Sequence, residues 1–394
     1  MSQTPVSEGR VKLPVTKVPL RDRIFLLGPP GIGKTEIIRQ KAEEEARKLG
    51  KIFVDLREEL STMNEERIAD IFRNPEKYYV YYRVIATHVF PEDLGIPRES
   101  RLNSRELAME FVKHIPPLVL SILSIPGIHG VLFIDEIVNL QRDDQVAMYY
   151  SIIQEKEAGF VLKFSKNIKI VLAGNPPEWS KITRELAEPL QNRICQIEVL
   201  PPSVDEWLAY MDRTYNDEWE KACAVYLKMF PAELLNPQKQ AFEGFPTPRS
   251  WTNACRDLYE LRKEGADEDV LEAVAVGWLG HEVGLKFSRI FKVGTDLDRV
   301  LREVATRPEV FEEIGIETKI LVLSSIASQT YENIVKYRKF MEYLLEKHRE
   351  LLTVLVTTMN KDTKARLLKE QWFNDGIIRR LASEIGPYVK PRKK

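Results

Sequence analysis

An α/β fold, with a parallel sheet flanked by helices and a largely helical second half, is predicted by three observations. Short apolar runs of buried-strand type alternate with helical patterns across residues 21–200. Several of those runs end abruptly in glycine, carboxylate or amide residues, at Gly28, Asp135-Glu136 and Gly174-Asn175. After Pro201-Pro202 the strand pattern stops and helical spacing takes over.

Residues 1–20 are polar and punctuated by proline, an extended lead-in. The first strand is Arg23–Leu27. A helix over Glu36–Leu49 follows, stopped by Gly50 where a C-cap wants glycine. Lys51–Asp55 reads as a short strand, and Glu65–Phe72 as a helical patch ending near Asn74-Pro75. Aromatic and β-branched residues make Tyr78–His88 a long strand. Pro91–Pro97 is a loop, Asn103–Lys113 fits neither period cleanly, and Leu118–Ser124 is a short helix or strand.

Val131–Ile134 is a buried-type strand ended by Asp135-Glu136. Asp143–Ala158 is helical. Ile168–Ala173 is a second buried-type strand, ended by Gly174-Asn175-Pro176-Pro177. A helix around Arg184–Arg193 and a strand Cys195–Val199 complete this part. Beyond it, Ser203-Val204-Asp205-Glu206 has the form of a helix start. Helices are expected at Trp219–Lys228, Ser250–Lys263, Asp267–Gly280, Thr330–Met359 and Asp362–Glu384. In Thr330–Met359 the apolar residues Ile334, Tyr337, Phe340, Leu344, Leu345 and Leu351 recur at helical spacing, which fits packing in a bundle or a face for a partner.

Gly28-Pro29-Pro30-Gly31-Ile32-Gly33-Lys34-Thr35 lies between the first strand and its helix, with Glu36 opening that helix. Main-chain N–H groups can wrap an anion only in a tightly curled loop, and Gly28, Gly31 and Gly33 remove the side chains that would obstruct it. Lys34 can reach β- and γ-phosphates, the Thr35 hydroxyl can ligate Mg²⁺, and the helix aims its positive end at the same charge. Asp135, at a strand end, can hold Mg²⁺ beside Thr35, and Glu136 can polarise an attacking water. Asn175, ending the next strand, can orient that water or touch a phosphate without adding charge. Asp135-Glu136 also fits a plain acidic turn, and Asn175-Pro176 a plain turn.

Taken in order, Gly28–Thr35, Val131–Glu136, Asn175, Arg193 and Arg249 resemble the AAA+ ATPases, with a P-loop core. More narrowly the chain is similar to the MoxR-type branch, through Pro91–Pro97, Gly174–Trp179, Glu185–Arg193 and Pro248-Arg249-Ser250-Trp251. The likeness spans roughly residues 20–290. It implies ATP and Mg²⁺ as ligands, whereas loop chemistry alone does not separate ATP from GTP. It makes Lys34, Glu136, Asn175 and Arg193 catalytic, with Arg193 the finger that reaches a neighbouring subunit's γ-phosphate. Arg184, on the same expected helix, is the rival for that role. Arg249 becomes the second sensor arginine, on the phosphates of its own subunit.

The same likeness implies a ring-shaped homo-oligomer, a hexamer in most relatives. It also implies a protein client, with von Willebrand factor A-type partners common in the branch. It places an inserted hairpin at Arg98–Pro117, where Pro116-Pro117 fits an interrupted helix, and a small hairpin around Gly159–Lys166. Expected domains are the lead-in 1–20, the core 21–200, a helical lid 201–300 and a C-terminal helical extension 301–394.

Composition narrows the function classes. The net charge of −1 gives no global drive toward nucleic acid or membrane, though it leaves room for a local basic patch. No apolar stretch is long enough to span a bilayer, and Met1–Pro19 lacks a signal-peptide core. Three cysteines in no close pair read as small core residues in a reducing, cytoplasmic setting. His281-Glu282 begins like a zinc-protease helix, but Leu285 occupies the second ligand position. Three readings stand: a remodelling ATPase or chaperone, an AAA+ motor or loader on nucleic acid, and a nucleotide-gated interaction switch with little turnover.

Overall fold

The computed structural model describes residues 12–103, 108–159, 162–179, 186, 188–237, 244–292 and 297–384. The chain divides into two compact units, Met1–Pro201 and Pro202–Lys394.

In the first unit, β1 (Lys12–Pro14) and β2 (Ile24–Leu27) precede helix α1 (Lys34–Lys48). β3 (Ile52–Asp55) leads through α2 (Leu56–Thr62) and α3 (Glu65–Arg73) to β4 (Tyr78–Ile85). A hairpin of β5 (Ile96–Asn103) and β6 (Ala108–Ile115) precedes α4 (Leu118–Leu123), β7 (His129–Asp135) and α5 (Asp143–Glu155). A second, small hairpin joins β8 (Glu157–Ala158) to β9 (Leu162–Lys163), before β10 (Ile168–Gly174), α6 (Glu188–Gln191) and β11 (Cys195–Leu200). Seven strands form one sheet in the order β1-β11-β2-β10-β7-β4-β3, every pairing parallel.

A parallel sheet needs both faces covered, and the strand sequences provide for it. On one face Phe25, Val80, Leu132, Ile134, Ile170 and Leu172 join a core with residues of α2 to α5. The alternate residues Ile24, Leu26, Phe133 and Val171 are also buried, as are Ile38, Ala42 and Ala46 of α1. β2 pairs with β10 and β11, both later in the chain, while its sequence successor β3 lies at the far edge. That reversal opens a crevice outside the carboxyl ends of the central strands, where α/β sheets bind ligands.

The end of the extended lead-in becomes the edge strand β1, held by its pairing to β11 and a Lys12–Glu198 ion pair of 2.8 Å. Pro14, which has no N–H to offer a further strand, blunts that edge. The inserted hairpin expected within Arg98–Pro117 forms from β5 and β6, antiparallel, with Arg98 opposite Lys113 and Ser100 opposite Phe111. The small hairpin also forms, with Ala158 opposite Leu162. Cys195 is exposed at the start of β11, against the expectation of a core residue, whereas Cys223 and Cys255 are buried.

The second unit is helical. It comprises α7 (Val204–Tyr215), α8 (Lys221–Met229), α9 (Pro248–Glu264), α10 (Glu268–Ser288), α11 (Leu297–Thr306), α12 (Val310–Glu313), α13 (Ile316–Ala327) and α14 (Tyr331–Ile334). α15 (Arg338–Lys347), α16 (Arg349–Thr358), α17 (Lys361–Leu367), α18 (Gln371–Phe373) and α19 (Arg379–Glu384) complete it. One apolar cluster runs from Val204 to Ile377, so 201–300 and 301–394 share a core. Trp251 is fully buried in it, 5.3 Å from the Phe287 ring and 5.7 Å from Tyr226. The stretch Thr330–Met359 is broken at His348, whose backbone leaves the helical region (φ −142°, ψ 60°). Ile334, Tyr337, Phe340, Leu344 and Leu345 are nonetheless buried, as bundle packing requires. Among the described residues no helix is long and apolar enough to cross a membrane.

Candidate functional site

The loop after β2 is shaped by its glycines. Gly31 and Gly33 take φ of +72° and +92°, a region that side chains resist. Gly28 lies so close to β11 that a Cβ there would meet Val199 O at 2.5 Å. Pro29 and Pro30 are half-buried between them, and Ile32 is buried beneath the turn. Gly33 caps α1, leaving the first-turn amides of a fifteen-residue helix toward the loop. Glu36 in that first turn accepts from Gln40 Nε2 at 2.7 Å.

Lys34 is 8% exposed. Its ammonium donates to Gly28 O (2.7 Å), Pro29 O (2.8 Å) and Asn175 Oδ1 (2.9 Å). These three acceptors are neutral and orient the ammonium at the loop. With its carbonyl on Lys34, the Asn175 amide keeps its NH₂ as the donor end. The contact follows from sheet register: β10 pairs Gly174 with Leu27, which sets Asn175 beside the start of the loop.

One strand over, Thr35 Oγ1 donates to Asp135 Oδ2 at 3.1 Å. The same oxygen accepts from Arg83 Nε (3.1 Å) and Nη2 (2.7 Å), while Asp135 Oδ1 accepts from the Glu136 amide (3.0 Å). Arg83 stands on β4, where Ile85 lies opposite Asp135. The ion pair is largely desolvated, with side-chain exposures of 27% and 11%. Glu136 follows in left-handed backbone (φ +60°, ψ 29°), uncommon for a residue with a side chain and a frequent mark of functional sites. That turn lets the chain leave the strand at once, with Glu136 at the rim and half-buried.

The oxygen pair of Thr35 and Asp135 fits Mg²⁺, a hard cation that commonly takes one or two carboxylates and fills its shell with water and phosphate. No group of three or more His, Cys, Asp and Glu converges among the described residues. Arg83 occupies the Asp135 oxygen that faces Thr35, so a cation there would have to share it or displace the guanidinium.

The structure brings Lys34, Thr35, Asp135 and Asn175 into direct contact and adds Arg83, which sequence reasoning missed. The available signal was a lone charge inside the aromatic strand Tyr78–Ile85. Arg193 is exposed on the turn between α6 and β11, with its amide on Leu190 O and buried Ile194 beside it. Arg184 lies outside the described residues. Arg249 belongs to the second unit, exposed in the first turn of α9, where Thr247 and Ser250 form a capping box and Pro248 takes the first position.

No protein-family profile and no curated protein matches the sequence. Among solved structures, the chain is similar to a point mutant of RuvB from Thermotoga maritima at 16% identity, covering 73% of this chain and 69% of that one, with a TM-score of 0.33. It is similar to the Aeropyrum pernix ORC2 protein in ADPNP–ADP complexes at 13% identity, covering 86% and 88%, with a TM-score of 0.32. Brucella abortus NtrX in complex with ADP gives 14% identity, coverage of 94% and 66%, and a TM-score of 0.35. Likenesses this distant assign no role to any residue.

Proposed function

We propose that the chain is an ATP-hydrolysing ATPase of the AAA+ superfamily, of MoxR type, working as an oligomeric ring on a protein client. One observation carries the reading. The lysine and threonine of a glycine-rich loop reach an amide and a carboxylate that end the two next strands of the sheet, Lys34 to Asn175 and Thr35 to Asp135. Such a cluster binds a polyphosphate and places a polar water-orienting group beside its terminal phosphate.

Each residue then has a task. Loop amides and the start of α1 receive phosphate oxygens. Lys34 moves its charge from three neutral acceptors to the β- and γ-oxygens. Thr35 and Asp135 would hold Mg²⁺, which would supply positive charge to the phosphates. Glu136 accepts a proton from the attacking water, and Asn175 orients that water. Arg193, permanently charged and exposed, suits a donor supplied to a neighbouring subunit, and Arg249 serves the phosphates of its own chain. The segments shared with the MoxR branch support the protein-client reading over a nucleic-acid motor, as does the balanced charge.

The test is purification of the Glu136→Gln protein with bound ATP. The proposal expects ATP-stabilised oligomers that retain a protein partner. Oligomers that instead retain nucleic acid, with hydrolysis by the unmutated protein stimulated by DNA, would replace the client assignment by the motor.

A further inference from the structure

A second cationic cluster lies in the helical unit, apart from every residue assigned above. On α7, Asp205 and Asp212 are seven residues apart and share a face; Lys221 and Lys228 do the same on α8. The helices pair through them: Lys221 Nζ stands 3.4 Å from Asp212 Oδ1 and 3.2 Å from Asp217 Oδ1, and Lys228 pairs with Asp205. Then α17 brings two more lysines to this face, one turn apart. Lys361 Nζ donates to the main-chain oxygen of Asp212 at 2.5 Å, and Lys364 Nζ to that of Thr357 at 3.2 Å.

The charges do not balance locally. Four lysines face three aspartates, an excess of one positive charge: Asp205, Asp212 and Asp217 answer Lys221 and Lys228, while Lys361 and Lys364 donate to neutral carbonyls. Lys364 is half-buried. Burial pulls its pKa down, Asp212 opposes, and the ammoniums of Lys221, Lys228 and Lys361 pull it down further. A chain with 58 basic residues could leave such lysines in water. Gathering them at a partly desolvated corner is costly unless an anion completes it.

We propose that this corner is a binding site for a small phosphate anion, with Lys361 and Lys364 as direct donors. Lysine ammoniums are compact point charges with three donors each, and phosphate oxyanions are among the ligands they commonly bind. Lys361 is exposed, so the anion has a way in. Its binding would tie α17 to α7 and α8.

Inorganic pyrophosphate is the probe, titrated by calorimetry into the full chain carrying Lys34→Ala, so that the loop after β2 contributes little. Saturable binding and a raised unfolding temperature are expected, with affinity at least tenfold weaker after Lys361→Gln and Lys364→Gln together. Equal affinity in that double variant, or the same thermal shift from chloride at matched ionic strength, overturns the site. Lysine acetylation footprinting of the chain without substitutions gives a second readout, independent of how the variants fold. Pyrophosphate should shield Lys361 and Lys364 but not the exposed Lys347; equal labelling with and without it also overturns the site.

Discussion

Asp135 collects donors from Thr35, Arg83 and the Glu136 amide, and Arg83 is the one that no spacing rule foretells. The meeting of Lys34 with Asn175 and of Thr35 with Asp135 was legible in the sequence because a curled loop and a strand end each fix residue types at short range. The Arg83–Asp135 pair joins strands 52 positions apart, and a charge inside an aromatic strand reads equally well as a side chain extended to solvent. Removing the arginine alone leaves a nearly buried carboxylate uncompensated. Arg83→Met should therefore cost about 1–3 kcal/mol of stability, below the range for a fully buried pair because the guanidinium is part-exposed. A double-mutant cycle with Asp135→Asn checks it by denaturant unfolding, and the double variant should cost less than the sum of the singles. In the proposed mechanism the Asn175 amide orients the attacking water, so Asn175→Ala should lower kcat by about ten- to a hundredfold with little change in ATP affinity. Single-turnover kinetics alongside equilibrium binding separate the two effects.

At the scale of elements, the sheet strands were readable because burial on both faces forces continuous apolar runs, as in Val131–Ile134 and Ile168–Ala173. The hairpin of β5 and β6 was expected from the family likeness and not from its residue pattern, since Ile96, Met109, Phe111 and Val112 are exposed among charges and show no buried face. The helix break at His348 was missed because tertiary packing overrides local spacing there, whereas the helix end expected at Gly280 is a kink within α10 (φ 75°, ψ 169°). The start of α7 was clear: Ser203 and Glu206 form the capping box that their spacing announces. Ser203→Ala should cost about 1 kcal/mol, read as a lower unfolding midpoint. On α17, the depressed pKa of Lys364 sets a pH dependence. Between its folded pKa and the ordinary 10.5 the unfolded chain binds more protons, so this group makes stability rise with pH in that window. Lys364→Met should remove that slope in alkaline unfolding curves.

For the whole molecule, the proposed division of labour between subunits has a direct consequence. Each complete site would combine Glu136 of one subunit with Arg193 of the next. Arg193→Ala and Glu136→Gln proteins should each be nearly inactive alone, yet recover part of the activity when mixed, because some boundaries then carry both intact groups. The exposed position of Arg193 on the turn after α6 is compatible with reaching a neighbour. The helical second unit could be anticipated from the change of pattern at Pro201-Pro202, but its single core from Val204 to Ile377 could not, because apolar spacing shows which face is buried and not what covers it. The central claim is that the loop after β2 and the ends of β7 and β10 form one hydrolytic nucleotide site. Phosphate release from ATP and Mg²⁺, measured beside ATP affinity for the unmutated and Glu136→Gln proteins, tests it most directly. Unchanged affinity and a loss of turnover of about a hundredfold or more are expected; turnover by Glu136→Gln at the unmutated rate would rule out Glu136 as the group that activates water.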